Sequence, residues 1–122
     1  TDPYQAAKMR EAMYYIASTM HVNHAHKMRG HRWANEQGSF DDMKAKSVQT
    51  MTDCATYVEN HVLTGPFVLG ETVSLADAYL YVACSWLAGD GVDVAQFPKI
   101  TAFMQAMCAR PSVAQVIADN MI

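Results

Sequence analysis

Four histidines, His21, His24, His26 and His31, fall in one short stretch with Arg29 and Arg32, the densest polar cluster of the chain. Imidazole is the commonest protein metal ligand, so a metal site is one reading of such a cluster. On a helix, however, His21 and His24 lie one turn apart while His26 points roughly away from both, and no carboxylate or cysteine sits at ligand spacing. The stretch therefore reads as solvated and cleft-facing imidazoles, with no metal bound. For His21 two roles stay open at this point: lining a substrate cleft, or a satisfied polar residue at a helix end.

The other chemistry-bearing residues are sparser. Cys54, Cys84 and Cys108 are widely spaced, form no C-x-x-C pair and sit in apolar neighbourhoods. They read as small buried hydrophobes of a reduced compartment rather than as a disulfide framework or zinc site. Nine methionines invite a redox reading, but most fall on apolar stripes, where methionine fills gaps. Tyr14 and Tyr15 suit a pocket or a subunit interface. Trp86 ends a strongly apolar run and reads as core before it reads as pocket wall.

Helices must position these groups. Met9, Met13, Ile16 and Met20 recur at helical spacing behind Asp2 and Pro3, an N-cap and a first-turn proline, and the pattern fades after His26 towards Gly30 and Gly38. Ser39 and Asp42 are expected to open a second helix whose buried face is Val48, Met51, Ala55, Val58 and Val62, stopped by Gly65 and Pro66. Ser74 and Asp77 form an S-x-x-D cap. The helix that follows, through Leu87, is apolar on every side and is expected to be surrounded by protein. Pro98 starts a fourth helix with a stripe of Ile100, Phe103, Met104 and Met107, and Arg110-Pro111 ends it. A short last helix carries Val113, Val116, Ile117 and Met121. About five helical segments and no alternating strand predict an all-α helical bundle, one domain over residues 1–122.

Bulk properties narrow the function classes. A chain of 122 residues is one domain, its 51% hydrophobic content rules out disorder, and no apolar run is long enough for a membrane span. A formal net charge of -3 lacks the basic stripe that nucleic acid demands. No signal segment opens the chain, which places it in the cytoplasm. Thr1 stands where an initiator methionine would, so the chain reads as a piece of something longer.

One stretch carries a family likeness. Gly65-Pro66-Phe67-Val68-Leu69-Gly70-Glu71-Thr72-Val73-Ser74-Leu75-Ala76-Asp77-Ala78-Tyr79-Leu80 resembles the loop, capping box and buried helix of the all-helical C-terminal domain of cytosolic glutathione transferases. Phe97-Pro98-Lys99-Ile100 and Ala109-Arg110-Pro111-Ser112-Val113 resemble that domain's next helix and its Arg-Pro junction. The first helix, Tyr15 to His21, resembles the bacterial beta-like branch. By that resemblance His21 faces the glutathione cleft and Trp86 is the aromatic wall of the electrophile pocket. Tyr14 then stands where the branch has polar residues holding the neighbouring subunit's glutathione, and Val22 stands where it often has lysine.

The resemblance implies further partners: an N-terminal thioredoxin-like domain, absent from these residues, a second subunit forming a homodimer, and a small electrophile. It implies glutathione as co-substrate, no tightly bound cofactor and no catalytic residue in this chain, because the thiol-activating group belongs to the missing domain. The competing reading is a stand-alone glutathione-transferase-like interaction module without catalysis. A helix that begins almost at the first residue favours the first reading over the second.

Overall fold

The computed structural model describes residues 2–122. Helix α1, Pro3–Tyr15, is capped by Asp2, whose carboxylate accepts the Tyr4 N–H at 2.9 Å, while Pro3 occupies the first turn. It runs without a break through a π-helical turn, Ile16–Met20, into α2, His21–Met28. Helix α3, Gln37–Tyr57, returns alongside and ends in a second π-turn, Val58–Val62. Helices α4, Leu75–Ser85, α5, Pro98–Cys108, and α6, Pro111–Ala118, complete a bundle of five rods. Strand pairing among the described residues is limited to two isolated bridges in the loop before α4, Phe67 with Gly70 and Leu69 with Thr72.

The core lies between the α1–α2 rod, α3, α4 and α5. Ile16, Met20, Met51, Val58, Leu80, Leu87 and Phe103 are almost wholly withdrawn from solvent. The methionines of α1 and α3 thus pack as the apolar periodicity requires, and Pro98 starts α5 with Ile100, Phe103 and Met107 facing inward.

The start of α4 is fixed by Asp77. Its fully buried carboxylate takes the Ser74 N–H at 2.7 Å, the Ser74 hydroxyl at 2.8 Å and the Val68 N–H at 2.8 Å. The first is one half of a capping box whose other half is the Ser74 side chain accepting from the Asp77 backbone; the bond to Val68 ties the 65–70 loop to the helix it precedes. That loop is tight, since a Cβ on Gly65 would lie 2.9 Å from the Gly70 Cα, and Gly70 itself has φ +77°.

Several sequence expectations are corrected. Helix α3 begins at Gln37 behind Glu36, not at a Ser39–Asp42 cap; Phe40 packs at the helix hairpin against Gly30, so tertiary contact sets the start rather than a side-chain cap. Val48 is 44% exposed and Ser47 takes the inward position, its hydroxyl satisfied by the Lys44 carbonyl at 2.7 Å. Helix α4 is not enclosed on every side: Leu75 is 64% exposed and Ala78 is exposed too, while the broad side carrying Ala76, Asp77, Leu80, Tyr81, Ala83 and Cys84 is buried. Cys108 is exposed, at the last turn of α5, whereas Cys54 and Cys84 are buried. No residue of α6 is buried, and Met121, beyond its end, is exposed.

Candidate functional site

Two helix faces meet near the π-turn of the first rod. His21, His24 and Lys27, at successive spacings of three, share one side of α2. Tyr79 and Trp86, seven residues and about two turns apart, share one side of α4. His21 Nδ1 and the Tyr79 hydroxyl are 3.1 Å apart, and the His21 ring lies 5.1 Å from the Trp86 ring system. The His24 imidazole stacks on Trp86 at 4.2 Å with planes only 15° apart.

Below this stack sits an acid. Asp90 follows α4 and is buried, with one carboxylate oxygen 2.7 Å from His24 Nδ1 and the other 3.5 Å from Lys27 Nζ. Lys27 also donates to the Gly89 carbonyl. A cation placed where α4 leaves its last carbonyls suits the negative end of the helix dipole. Asp90 N–H in turn donates to the Trp86 backbone carbonyl at 2.9 Å, so the loop that carries the acid is hydrogen-bonded to the end of α4.

Of the residues singled out from sequence, the structure brings His21 and Trp86 together and leaves Tyr14 apart, 68% exposed. Trp86 is half-buried, packed against the core on one side and against the two imidazoles on the other. His26 turns to a different face, edge-on to Trp33 at 4.4 Å, as its helical phase requires. His31, Arg29 and Arg32 are exposed. No three His, Cys, Asp or Glu among the described residues are grouped so as to hold a metal ion.

Sequence reasoning missed Tyr79, Lys27 and Asp90. The three-residue repeat His21, His24, Lys27 was visible, and so was the Tyr79–Trp86 interval. The Asp90 contact was not, because it joins residues 66 positions apart. An acid between Gly89 and Gly91 looks in sequence like a solvated turn residue.

Several thiol and phenol groups have their protonation shifted by their surroundings. Burial pushes the Cys84 thiol up to about 12 and raises the Tyr15 phenol. The contact with the Cys108 thiol, followed by burial, pushes Tyr81 up to about 12. These shifts all favour the protonated, unreactive form. His21, His24, Tyr79 and Trp86, each half-buried, form an aromatic and imidazole wall.

The family model of the glutathione S-transferase C-terminal domain matches residues 17–111. This chain belongs to the glutathione S-transferase family. A crystal structure of a glutathione transferase homologue from Sulfitobacter, with bound glutathione, is 63% identical and superposes over the whole chain with a TM-score of 0.98. The present chain spans only 59% of that protein. BphK, a bacterial glutathione transferase solved as a ternary complex, is 22% identical, matches 93% of this chain and 54% of its own, and shares the fold with a TM-score of 0.76. No curated protein matches the sequence. The all-helical C-terminal domain expected from the capping box, the apolar helix and the Arg-Pro junction is therefore the fold observed in this glutathione S-transferase family member. Among the described residues no helix is long and apolar enough to cross a membrane.

Proposed function

We propose that this chain is the C-terminal domain of a cytoplasmic, homodimeric glutathione transferase and supplies the electrophile-side wall of a conjugation site. The observation that carries the reading is the juxtaposition of His21, Tyr79 and Trp86 across α2 and α4. The three free thiols, without a disulfide among the described residues, fit a reduced compartment. In this reading an N-terminal thioredoxin-like domain binds glutathione and promotes its thiolate. The thiolate attacks the electrophile's carbon, the new C–S bond forms, and the leaving group departs with the bonding pair.

The chain's own residues hold the partners of that step. Pairing of His21 Nδ1 with Tyr79 leaves Nε2 as the ring atom open to a polar group of the thiol substrate, while the rim of the half-buried Trp86 indole, between the core and the imidazoles, offers apolar contact to the electrophile. Tyr14, on the exposed side of α1, is placed to meet a second subunit instead of the wall. Binding both reactants in register is what converts a slow bimolecular attack into a fast one.

The test compares the protein expressed from its complete reading frame with the 122-residue chain, using glutathione and a chlorodinitrobenzene-type acceptor. Turnover is expected only with the complete protein, and His21→Ala is expected to lower it. Turnover by the 122-residue chain alone would overturn the reading, and so would a complete protein that lacks activity towards a broad panel of electrophiles.

A further inference from the structure

The pairing of Asp90 with His24 is the feature that the conjugation reading leaves without a role. Asp90 has a side chain 1% exposed, and His24, 31% exposed, reaches solvent. An acid so deeply buried is costly unless its oxygens are taken up, and here they are, by His24 Nδ1 at 2.7 Å and by Lys27. A carboxylate accepts hydrogen bonds and does not donate them, so the neutral imidazole must carry its proton on Nδ1. Its other nitrogen, Nε2, then bears a lone pair. That atom has no hydrogen-bond partner among the described residues and is not sealed from solvent. Stacking on Trp86 at 4.2 Å and 15° removes the remaining freedom of the ring.

We propose that Asp90 is a positioning residue that fixes His24 in the Nδ1–H tautomer, presenting Nε2 as a hydrogen-bond acceptor at the edge of the Trp86 wall. An acceptor so placed selects ligands that carry a hydrogen-bond donor, such as a phenolic hydroxyl, on an apolar body that meets the rim of the indole. This deepens the conjugation reading by naming a substrate class, and it rests on that reading only for the claim that such a ligand is an electrophile. By holding Nδ1–H the carboxylate sets which nitrogen of His24 is free, as an acid bonded to the far nitrogen of an imidazole does at metal and catalytic sites. An amide at position 90 would preserve shape and reverse the choice, since it can donate to Nδ1 and leave the proton on Nε2.

The tautomer is read directly from the nitrogen shifts of His24, in the complete protein labelled at histidine, measured on the neutral imidazole. The wild type is expected to show a protonated Nδ1 and a bare Nε2, and Asp90→Asn the reverse. A purely structural Asp90 would change the melting temperature without exchanging the two nitrogens. Binding of para-chlorophenol and para-chloroanisole, followed by ligand-induced shifts, supplies the second arm. Wild type is expected to prefer the phenol by about fivefold, the size of one net hydrogen bond. The preference is expected to vanish in Asp90→Asn and in His24→Phe, the latter keeping a ring on Trp86 should the former fold poorly. A proton on Nε2 in the wild type, or an unchanged phenol preference in both variants, would overturn the proposal. Neither readout depends on turnover, so a failed conjugation assay leaves this result standing by itself.

Discussion

Glu59 caps a helix whose first free donor, Lys99, lies 40 residues further along the chain: its carboxylate accepts the Lys99 N–H at 2.8 Å and the Ile100 N–H at 2.9 Å. Pro98, at the first position of α5, has no N–H to satisfy, and the residue before it, Phe97, carries no capping group. The next two donors therefore need an acceptor from elsewhere, and the π-turn at the end of α3 supplies one. Glu59→Ala is expected to cost about 2 kcal/mol or more, the penalty for orphaning two donors in a largely buried setting. Glu59→Gln, which keeps one acceptor oxygen, should lose less. Denaturant midpoints of the two variants check this ordering, and equal losses would contradict the two-bond account.

Asp77 makes a similar case at α4. Removing it strips three donors of their acceptor, so Asp77→Ala is expected to destabilise by about 3 kcal/mol, against about 1 kcal/mol for Ser74→Ala. Chemical unfolding of both variants tests this, and matching values would show that Val68 gains nothing from its bond.

What the sequence makes legible follows from which contacts are local. The Ser74–Asp77 cap, the Pro98 start and the methionine stripes depend on spacings of a few residues, so the bundle can be read from them. The Glu59–Ile100 and Asp90–His24 pairs depend on how two helices lie against each other, and no periodicity encodes that. Ser47 and Val48 mark the boundary: polarity assigned Val48 inward, but a hydroxyl that bonds its own helix can be buried cheaply, so the phase of α3 is decided by packing.

Gly65 is expected to tolerate no side chain. Gly65→Ala would press a Cβ to 2.9 Å from the Gly70 backbone, which cannot swing aside as a flexible side chain could. Loss of at least about 1 kcal/mol is expected by thermal or chemical unfolding. Gly38→Ala is the control, since nothing lies within 4 Å of its added Cβ and it sits in α3, where alanine is favoured.

Thiol chemistry should separate the cysteines. Cys108 is exposed while Cys54 and Cys84 are buried, so an aromatic disulfide reagent is expected to label Cys108 in the native chain and the other two only on unfolding. Burial lifts the Cys84 thiol from its ordinary 9.0 to about 12, so the native state holds that proton more tightly than the unfolded chain does. The associated stability is full below pH 9 and is lost as pH rises through about 12. Tyr81, also pushed up to about 12, acts in the same direction. Unfolding midpoints measured across that alkaline range should fall steadily; a flat profile would contradict the burial of Cys84.

Tyr79→Phe isolates the hydrogen bond that orients His21. The phenol's ring stays in place against the core, and the side chain is only half-buried, so stability is expected to fall by no more than about 1.5 kcal/mol. If His21 contacts the thiol substrate through Nε2, its value depends on ring orientation, and the 3.1 Å bond to Tyr79 is the one hydrogen bond that the described residues make to that ring. A ring left free to rotate presents the right nitrogen for only part of the time, so under the proposed function kcat/KM of the complete protein for glutathione conjugation should drop by about three- to tenfold. His21→Ala should drop it further. The double variant should then be no worse than His21→Ala alone, because Tyr79 acts through His21 and has nothing left to orient. Additive losses would mean that Tyr79 touches the substrate itself.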